Sequence, residues 1–107
     1  MENICVDASM KPKFVDFGLS KQNAPIGTES STFCGTYPYL PPEMIFGPSY
    51  TNAVDFWQLG VIMYLMEYRR LPFFSEDDDV LYKKICYDEP IYPKRESPFK
   101  KLVMGNI

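Results

Sequence analysis

Histidine is absent from this 107-residue sequence, and acidic residues outnumber basic ones. Without histidine the chain has neither a Ser-His-Asp hydrolase triad nor a histidine-ligated zinc site. With 11 basic and 14 acidic residues the net charge is -3, so no broad positive field is available for nucleic acid or an anionic membrane. We therefore expect neither as a partner.

Cysteine is scarce, and its spacing excludes a disulfide framework. Cys5, Cys34 and Cys86 are odd in number, far apart and without C-x-x-C spacing, which favours reduced thiols in a cytosolic protein over a disulfide, zinc or redox role. No basic segment precedes an apolar run at the start, and no apolar stretch reaches about 18 residues. We expect a cytoplasmic protein with no membrane insertion.

Apolar residues are abundant and argue against disorder. The sequence is 46% hydrophobic and 16% aromatic, and this apolar area must be buried somewhere. A chain of this length buries only about 60 to 65% of its extended surface, so its stability is marginal. The chain is one domain or part of one.

The first third of the sequence predicts a hairpin followed by a long loop. Residues 4–6 and 13–15 are short β-prone runs around a turn-like stretch. Residues 18–35 are rich in Ser, Thr, Asn, Pro and Gly, which predicts an irregular, exposed and mobile segment. Its length suggests a functional loop.

The remaining sequence predicts helices. Residues 53–66 are apolar almost all round, which predicts a core helix with Asn52 as its N-cap. Ser75 begins a second, amphipathic helix with acidic residues in its first turn and lysines near its end. Ser97-Pro98 predicts the start of a third helix, with a capping serine before a proline at the first helical position. The expected fold is mainly α with a short β-hairpin.

Four motifs in register carry a family resemblance. Asp16-Phe17-Gly18, Thr32–Thr36, Pro41-Pro42-Glu43 and Val54–Trp57 follow one another at the spacing of a protein kinase activation segment. The T-F-C-G-T tract resembles the serine/threonine kinases related to protein kinase C. The resemblance implies part of a kinase large (C-terminal) lobe, divided into a hairpin with the D-F-G motif (1–18), an activation segment (19–43) and a helical subdomain (44–107).

The resemblance implies a metal site built from two oxygen donors. Asp16 would bind the magnesium that bridges the terminal phosphates of ATP, and Asn3 a second ion, while Gly18 lets the backbone turn sharply. The alternative is an ordinary turn after a strand, with Asn3 capping the chain start.

The loop hydroxyls acquire roles by the same resemblance. Thr32 would be phosphorylated by an upstream activating kinase, and Lys21 would contact that phosphate. Thr36 would face the catalytic groups and align the substrate, and Leu19 also resembles serine-directed enzymes. The alternatives are a solvated hydroxyl for Thr32 and a plain turn residue for Thr36.

Two acidic residues would have structural roles. Glu43 matches a buried glutamate whose arginine partner lies beyond Ile107 in the family, so Glu43 is either exposed here or paired elsewhere. Asp55 matches the aspartate that anchors the catalytic loop. It also falls in the first turn of a helix, where it can satisfy free N–H groups; both readings can hold.

The family pattern is incomplete in this chain. Its catalytic aspartate and lysine, and its nucleotide-binding lobe, would lie upstream of Met1. Tyr37-Pro38-Tyr39 shifts the family proline by one position, and Leu65 replaces a glutamate that receives a substrate arginine, which puts a preference for basic substrates in doubt.

We expect a serine/threonine protein kinase that uses ATP and magnesium on protein substrates, present here as a piece without turnover or tight ATP binding. The alternatives are a non-catalytic binding module that acts through the helix at 75–86, or an incomplete gene product.

Overall fold

The computed structural model describes residues 3–18, 20–21, 25–31, 35–47, 49–93, 100 and 105. Its elements are two strands, one 3₁₀ helix and three α-helices: β1 (Ile4–Val6), β2 (Pro12–Phe14), the 3₁₀ helix (Tyr37–Tyr39), α1 (Pro42–Phe46), α2 (Ala53–Tyr68) and α3 (Asp78–Tyr87). The predicted fold class is confirmed. In this part of the chain, no helix has the length and apolar character needed to cross a membrane. The helix start predicted at Ser97-Pro98 lies outside the described residues.

The hairpin pairs β1 with β2 antiparallel, with Ile4 opposite Phe14. β2 begins at Pro12, one residue earlier than expected. The turn is closed by the Asp7 carboxylate, whose Oδ1 accepts the N–H groups of Ser9 and Lys11 at 2.9 and 3.0 Å. Such side-chain bonds to the local backbone stabilise tight turns. Because β2 runs antiparallel to β1, the chain returns to the end of the hairpin where β1 begins, and Asp16 follows there.

Helix α2 is buried on one side only. Val54, Val61 and Tyr64 are buried, whereas Phe56 and Met66 on the other side are each 59% exposed. The apolar sequence of this helix predicted burial all round. The described elements cover only the first face, because the 3₁₀ helix and the segments around α3 all pack on that side.

The ends of α2 differ from the expectation. It continues to Tyr68 and ends at Arg69, which takes the left-handed conformation (φ 55°). Asn52 occupies the N-cap position, as predicted, but its side chain makes no capping bond; the Ala53 N–H instead meets Thr51 Oγ1 at 3.3 Å. The Asn52 side chain is used elsewhere, as described below.

Two small clusters of the core share Ile45 as a neighbour. One contains Leu40, Met44 and Val54, and the other Phe73, Leu81 and Ile85. Ile45 of α1 packs against both, so α1 connects the start of α2 to the inner face of α3.

A tyrosine cluster fixes the segment after α3 to α2. The Tyr64 hydroxyl donates to the Ile91 carbonyl, and its ring lies 4.6 Å from that of Tyr68 and 5.8 Å from that of Tyr92. Burial, followed by negative charge on Tyr64, Tyr68 and Glu89, raises the pKa of Tyr92 above its ordinary 10.0. The folded state therefore favours the neutral phenol of Tyr92. Its contribution to the free energy of unfolding is fully present below about pH 10 and is lost as pH rises through the raised pKa.

Two of the cysteines are described, and both are free thiols. Cys5 is exposed on β1, and Cys86 is half-buried on α3. Burial raises the pKa of the Cys86 thiol, which makes it a poor nucleophile at neutral pH. Cys34 lies outside the described residues.

The start of α3 also corrects the sequence prediction. The helix begins at Asp78 rather than at Ser75, and Asp77 is its N-cap, with Oδ1 accepting the Val80 N–H at 2.9 Å. Ser75 Oγ accepts the Asp77 N–H at 3.2 Å, one step before the helix. A run of acidic residues offers several possible caps, and only the backbone geometry selects one.

Asp77→Ala is expected to cost about 1 kcal/mol of unfolding free energy, because the Val80 N–H then loses its partner. Ser75→Ala removes a longer bond, which lies outside the helix, and should cost less than half of that. Urea denaturation followed by far-UV circular dichroism measures both. A larger loss of unfolding free energy for Ser75→Ala than for Asp77→Ala would support the predicted helix start at Ser75.

Candidate functional site

The hairpin brings Asn3 and Asp16 to the same end of the structure. The Val15 N–H donates to the Asn3 carbonyl at 2.9 Å, which continues the strand pairing by one step beyond Ile4 and Phe14. Asp16 follows directly, and both Asn3 and Asp16 are exposed. An amide and a carboxylate are therefore both exposed at this end of the hairpin.

Asp16 has an unusual backbone conformation. Its φ is 63°, in the left-handed region that residues other than glycine seldom adopt. Its own carboxylate supports this conformation, because Oδ1 accepts the Gly18 N–H at 3.1 Å. Strained backbone of this kind clusters at functional sites.

Gly18 lies in a turn and leaves room for the Asp16 carboxylate. The Ser20 N–H donates to the Phe17 carbonyl at 3.0 Å across this turn, and the φ of Gly18 is not in the left-handed region. A Cβ at this position would lie 3.1 Å from Asp16 Oδ1, so the carboxylate would have to shift by a few tenths of an ångström. Gly18 thus keeps the position of the Asp16 side chain.

The donor chemistry of this end fits magnesium held together with a nucleotide. Magnesium prefers oxygen ligands and usually keeps waters and phosphate oxygens alongside one or two protein ligands. Asn3 and Asp16 supply protein oxygens, and the described residues contain no cluster of three or more acidic, cysteine or histidine side chains that could form a complete cage. Phosphate oxygens would have to complete the shell.

Residues 27–30 are attached to residues 49–52 by a set of contacts that we call the clasp. Ser30 and Tyr50 exchange backbone hydrogen bonds of 2.7 Å in both directions. The Gly27 N–H donates to Asn52 Oδ1 at 3.1 Å, and Ser49 Oγ donates to Glu29 Oε2, also at 3.1 Å. The loop predicted as exposed throughout is therefore anchored, with Ser30 only 9% exposed.

Lys21 reaches into the clasp. Its Nζ donates to Ser30 Oγ at 2.6 Å, across nine residues of sequence. Thr32, its expected partner, lies outside the described residues, so a contact between them stays a prediction. The described partner of Lys21 is a neutral hydroxyl.

Thr36 stands at the start of the 3₁₀ helix. It is exposed, and its carbonyl accepts the Tyr39 N–H at 2.9 Å. The next residue, Tyr37, packs edge to face on Tyr82 of α3 with ring centroids 5.9 Å apart. Burial, then the charges of Tyr37, Asp78 and Asp79, raise the pKa of Tyr82. The segment that contains Thr36 and Tyr37 is thus anchored on α3.

Glu43 and Asp55 lie apart from the hairpin end. Glu43 is half-buried in the first turn of α1, and among the described residues no cation forms a salt bridge with it. Asp55 is exposed at the third position of α2, where a carboxylate complements the positive end of the helix. The described residues show no side-chain hydrogen bond of Asp55, and both of its predicted roles stay predictions.

Sequence reasoning missed Ser30 and gave Asn52 the wrong partner. Both act through residues about 20 positions away, and a Ser/Thr-rich tract has no periodicity that could reveal such pairing. The Ser/Thr-rich composition of the loop was the only sequence feature near Ser30, and it indicates a loop but no partner.

Two glycines of the loop allow a matched test. Gly27 (φ 85°) and Gly35 (φ 131°) both require positive φ, but a Cβ on Gly27 meets nothing within 4 Å, whereas one on Gly35 lies 3.2 Å from Leu40 Cδ2. Gly27→Ala should cost about 1 kcal/mol of stability through backbone strain, and Gly35→Ala about 2 to 3 kcal/mol through strain plus core crowding. Equal urea midpoints would show that Leu40 yields freely.

Comparison with known proteins places the chain in a family. The model of the protein kinase domain matches residues 1–103. The chain belongs to the protein kinase family, which generally uses ATP and magnesium.

Its relatives are serine/threonine kinases. The chain is 39% identical over 107 residues to the RAC-beta serine/threonine-protein kinase of Homo sapiens, covering 100% of the chain and 22% of that relative. It is 43% identical over 107 residues to the RAC serine/threonine-protein kinase of Drosophila melanogaster, covering 100% and 18%. It is 41% identical over 93 residues to protein kinase C of Aspergillus fumigatus, covering 87% and 8%. The chain thus spans about a fifth of the RAC relatives.

Proposed function

We propose that this chain is the activation-segment part of a serine/threonine protein kinase, which transfers the γ-phosphoryl group of ATP to hydroxyl groups of protein substrates. The observation that carries the proposal is Asp16, held in the left-handed conformation at the end of the hairpin that also exposes Asn3. Family membership and the kinase relatives support it.

In this proposal Asp16 and Asn3 hold magnesium, which neutralises charge on the nucleotide phosphates. Because Oδ1 of Asp16 accepts the Gly18 N–H, its second carboxylate oxygen would be available to hold the ion. Because both side chains are exposed, bulky phosphates can approach them without rearrangement of the hairpin.

The loop supplies regulation and alignment. Phosphate added to Thr32 by an upstream kinase would pair with Lys21, and Thr36, fixed next to Tyr37 on α3, would align the substrate hydroxyl. Glu43 and Asp55 would stabilise the lobe. The proposed compartment is the cytoplasm, where the free thiols of Cys5 and Cys86 stay reduced.

A chimera tests the proposal. The 107 matched residues of the human RAC-beta relative are replaced by this chain, and transfer of labelled phosphate to a protein substrate is measured. We expect transfer that depends on magnesium and on phosphorylation of Thr32. A chimera that melts cooperatively and binds ATP but transfers nothing would contradict the proposal. The isolated chain should transfer no more label than its Asp16→Ala variant.

The second candidate is a non-catalytic binding role. A groove of about 340 Å³ lies between α1 and α3, lined in part by Phe46 and Tyr87, which are 60% and 74% exposed. Exposed aromatic rings are typical of interfaces. A folded but inactive chimera would favour this candidate.

A further inference from the structure

Tyr82 of α3 connects the core to the segment that contains Thr36. Its ring is half-buried and packs against the first core cluster, which contains Leu40, Met44 and Val54. The same ring meets Tyr37 edge to face, with centroids 5.9 Å apart and an interplanar angle of 88°. Tyr82 is therefore held by the core while it contacts the residue next to Thr36.

The backbone passes this contact on to Thr36 over a single peptide bond. Neighbouring Cα atoms lie about 3.8 Å apart, so Thr36 cannot move far from Tyr37. Within the 3₁₀ helix the Tyr39 N–H donates to the Thr36 carbonyl at 2.9 Å, and the Leu40 N–H donates to the Tyr37 carbonyl at 3.2 Å. The Thr36 side chain makes no capping bond to this helix. The position of Thr36 therefore depends on the 3₁₀ helix and on what holds Tyr37.

Tyr37 is only partly covered by the rest of the chain. It is 45% exposed, and Tyr82 supplies the ring contact that the structure describes for it. Ring pairs in edge-to-face geometry stabilise packing beyond the apolar area that they bury. An aliphatic side chain in place of Tyr82 could still pack against the core, but it could not make this contact.

From these contacts we infer that Tyr82 is a positioning residue for the proposed transfer reaction. It acts through Tyr37 and not by contact with the substrate. The Tyr82 ring holds the Tyr37 ring, Tyr37 fixes the start of the 3₁₀ helix, and Thr36 is thereby kept where it aligns the substrate hydroxyl. The inference rests on the proposed function, because Thr36 has a substrate to align only in a kinase.

The first experiment measures the hold on this segment in the full chain and needs no activity. The amides of Tyr39 and Leu40 report the 3₁₀ helix, because both donate within it. Tyr82→Leu removes the ring but keeps apolar volume, and it should speed hydrogen exchange of both amides about three- to tenfold. Tyr82→Phe keeps the ring, so exchange should stay within about 1.5-fold of that in the natural sequence.

Tyr37→Leu breaks the same contact from the other side. It should speed the two amides as much as Tyr82→Leu does, and the double variant should add little, because both changes remove one ring pair. Tyr37 is partly exposed, so this variant stays informative even if Tyr82→Leu unfolds the chain. The Arg69 and Leu81 amides, which donate to Leu65 and Asp77, should exchange equally in all variants and so exclude general loosening.

The second experiment measures phosphate transfer in the chimera. Tyr82→Leu should lower kcat about three- to tenfold and leave the KM for ATP unchanged, because the ring acts on the Thr36 segment and not on the metal site. Tyr82→Phe should restore kcat to within about twofold. In a Thr36→Ala background, Tyr82→Leu should lower kcat by less than about twofold, because residues that act through one group are not additive.

Tyr87→Leu is the matched control on the same helix. Tyr87 lines the same groove as Tyr82 and is exposed, but its ring meets Phe46, with centroids 5.6 Å apart. A substrate that docked directly on the groove would need Tyr87 as well as Tyr82. We expect Tyr87→Leu to leave kcat within about twofold and the Tyr39 and Leu40 amides unchanged.

The outcomes separate this inference from the proposed function. Unchanged Tyr39 and Leu40 amides in both Tyr82→Leu and Tyr37→Leu would overturn the hold on the segment. Faster amides with an unchanged kcat, an equal loss of kcat in the Thr36→Ala background, or an equal loss in Tyr87→Leu would each overturn the positioning role. A chimera with the natural sequence that transfers nothing would end the proposed function and the role in transfer with it, and the amides would still decide whether Tyr82 holds the segment.

Discussion

Asp16→Ala in the chimera is expected to lower kcat by about 100- to 1000-fold, with little change in folding. Among the described residues of the hairpin end, Asp16 is the carboxylate that we propose as a magnesium ligand. Loss of a group that holds the ion opposite the developing phosphate charge commonly has an effect of this size. The assay is steady-state phosphate transfer to a protein substrate across a range of magnesium concentrations.

Asp16→Asn separates charge from backbone. Asparagine tolerates the left-handed conformation and its side-chain oxygen can still accept the Gly18 N–H, so the turn survives while the charge is lost. We expect nearly the same loss of kcat as with alanine. Asp79→Asn, an exposed aspartate on α3, is the control and should leave kcat within about twofold. Full activity of Asp16→Asn would remove Asp16 from the metal site.

Leu81→Ala should cost about 2 to 4 kcal/mol of unfolding free energy. Leu81 is 2% exposed and packs with Phe73 and Ile85 in the cluster that joins α3 to the rest of the chain. Truncation of a buried leucine loses transfer free energy and leaves a cavity. In a domain of marginal stability this is a large fraction of the total. Urea denaturation by far-UV circular dichroism measures the loss.

Val80→Ala is the matched control. Val80 precedes Leu81 on the same helix but is 43% exposed. Its truncation removes little buried area and replaces a β-branched residue by the best helix former, so the change should stay within about 0.5 kcal/mol. Equal losses for the two variants would show that α3 does not pack through Leu81.

The hairpin and the long helix were predictable because their signals are local. Alternation and turn residues predicted β1 and β2, and the apolar run predicted α2 almost to its end. The order of the motifs around Asp16 also predicted the family, which the comparisons confirm. Each of these depends on residues that are close in sequence.

What could not be predicted depends on distant contacts. Asn52 looks like a helix cap in sequence, yet its side chain meets Gly27, and Lys21 meets Ser30. Several acidic residues before α3 satisfy the same capping rule, so Asp77 could not be chosen over its neighbours. Which face of α2 is buried likewise depends on the segments that surround the helix. A sequence that is apolar on all sides does not indicate which face this will be.

Trp57 gives the chain an optical reporter of its own. It is the single tryptophan, half-buried, with its ring stacked parallel to Phe73 at a centroid distance of 6.3 Å. Phe73 belongs to the same cluster as Leu81, so separation of α2 from α3 would place the indole in water and shift its emission to longer wavelength. Intrinsic fluorescence can therefore follow the opening of this cluster in the natural sequence, with no added label.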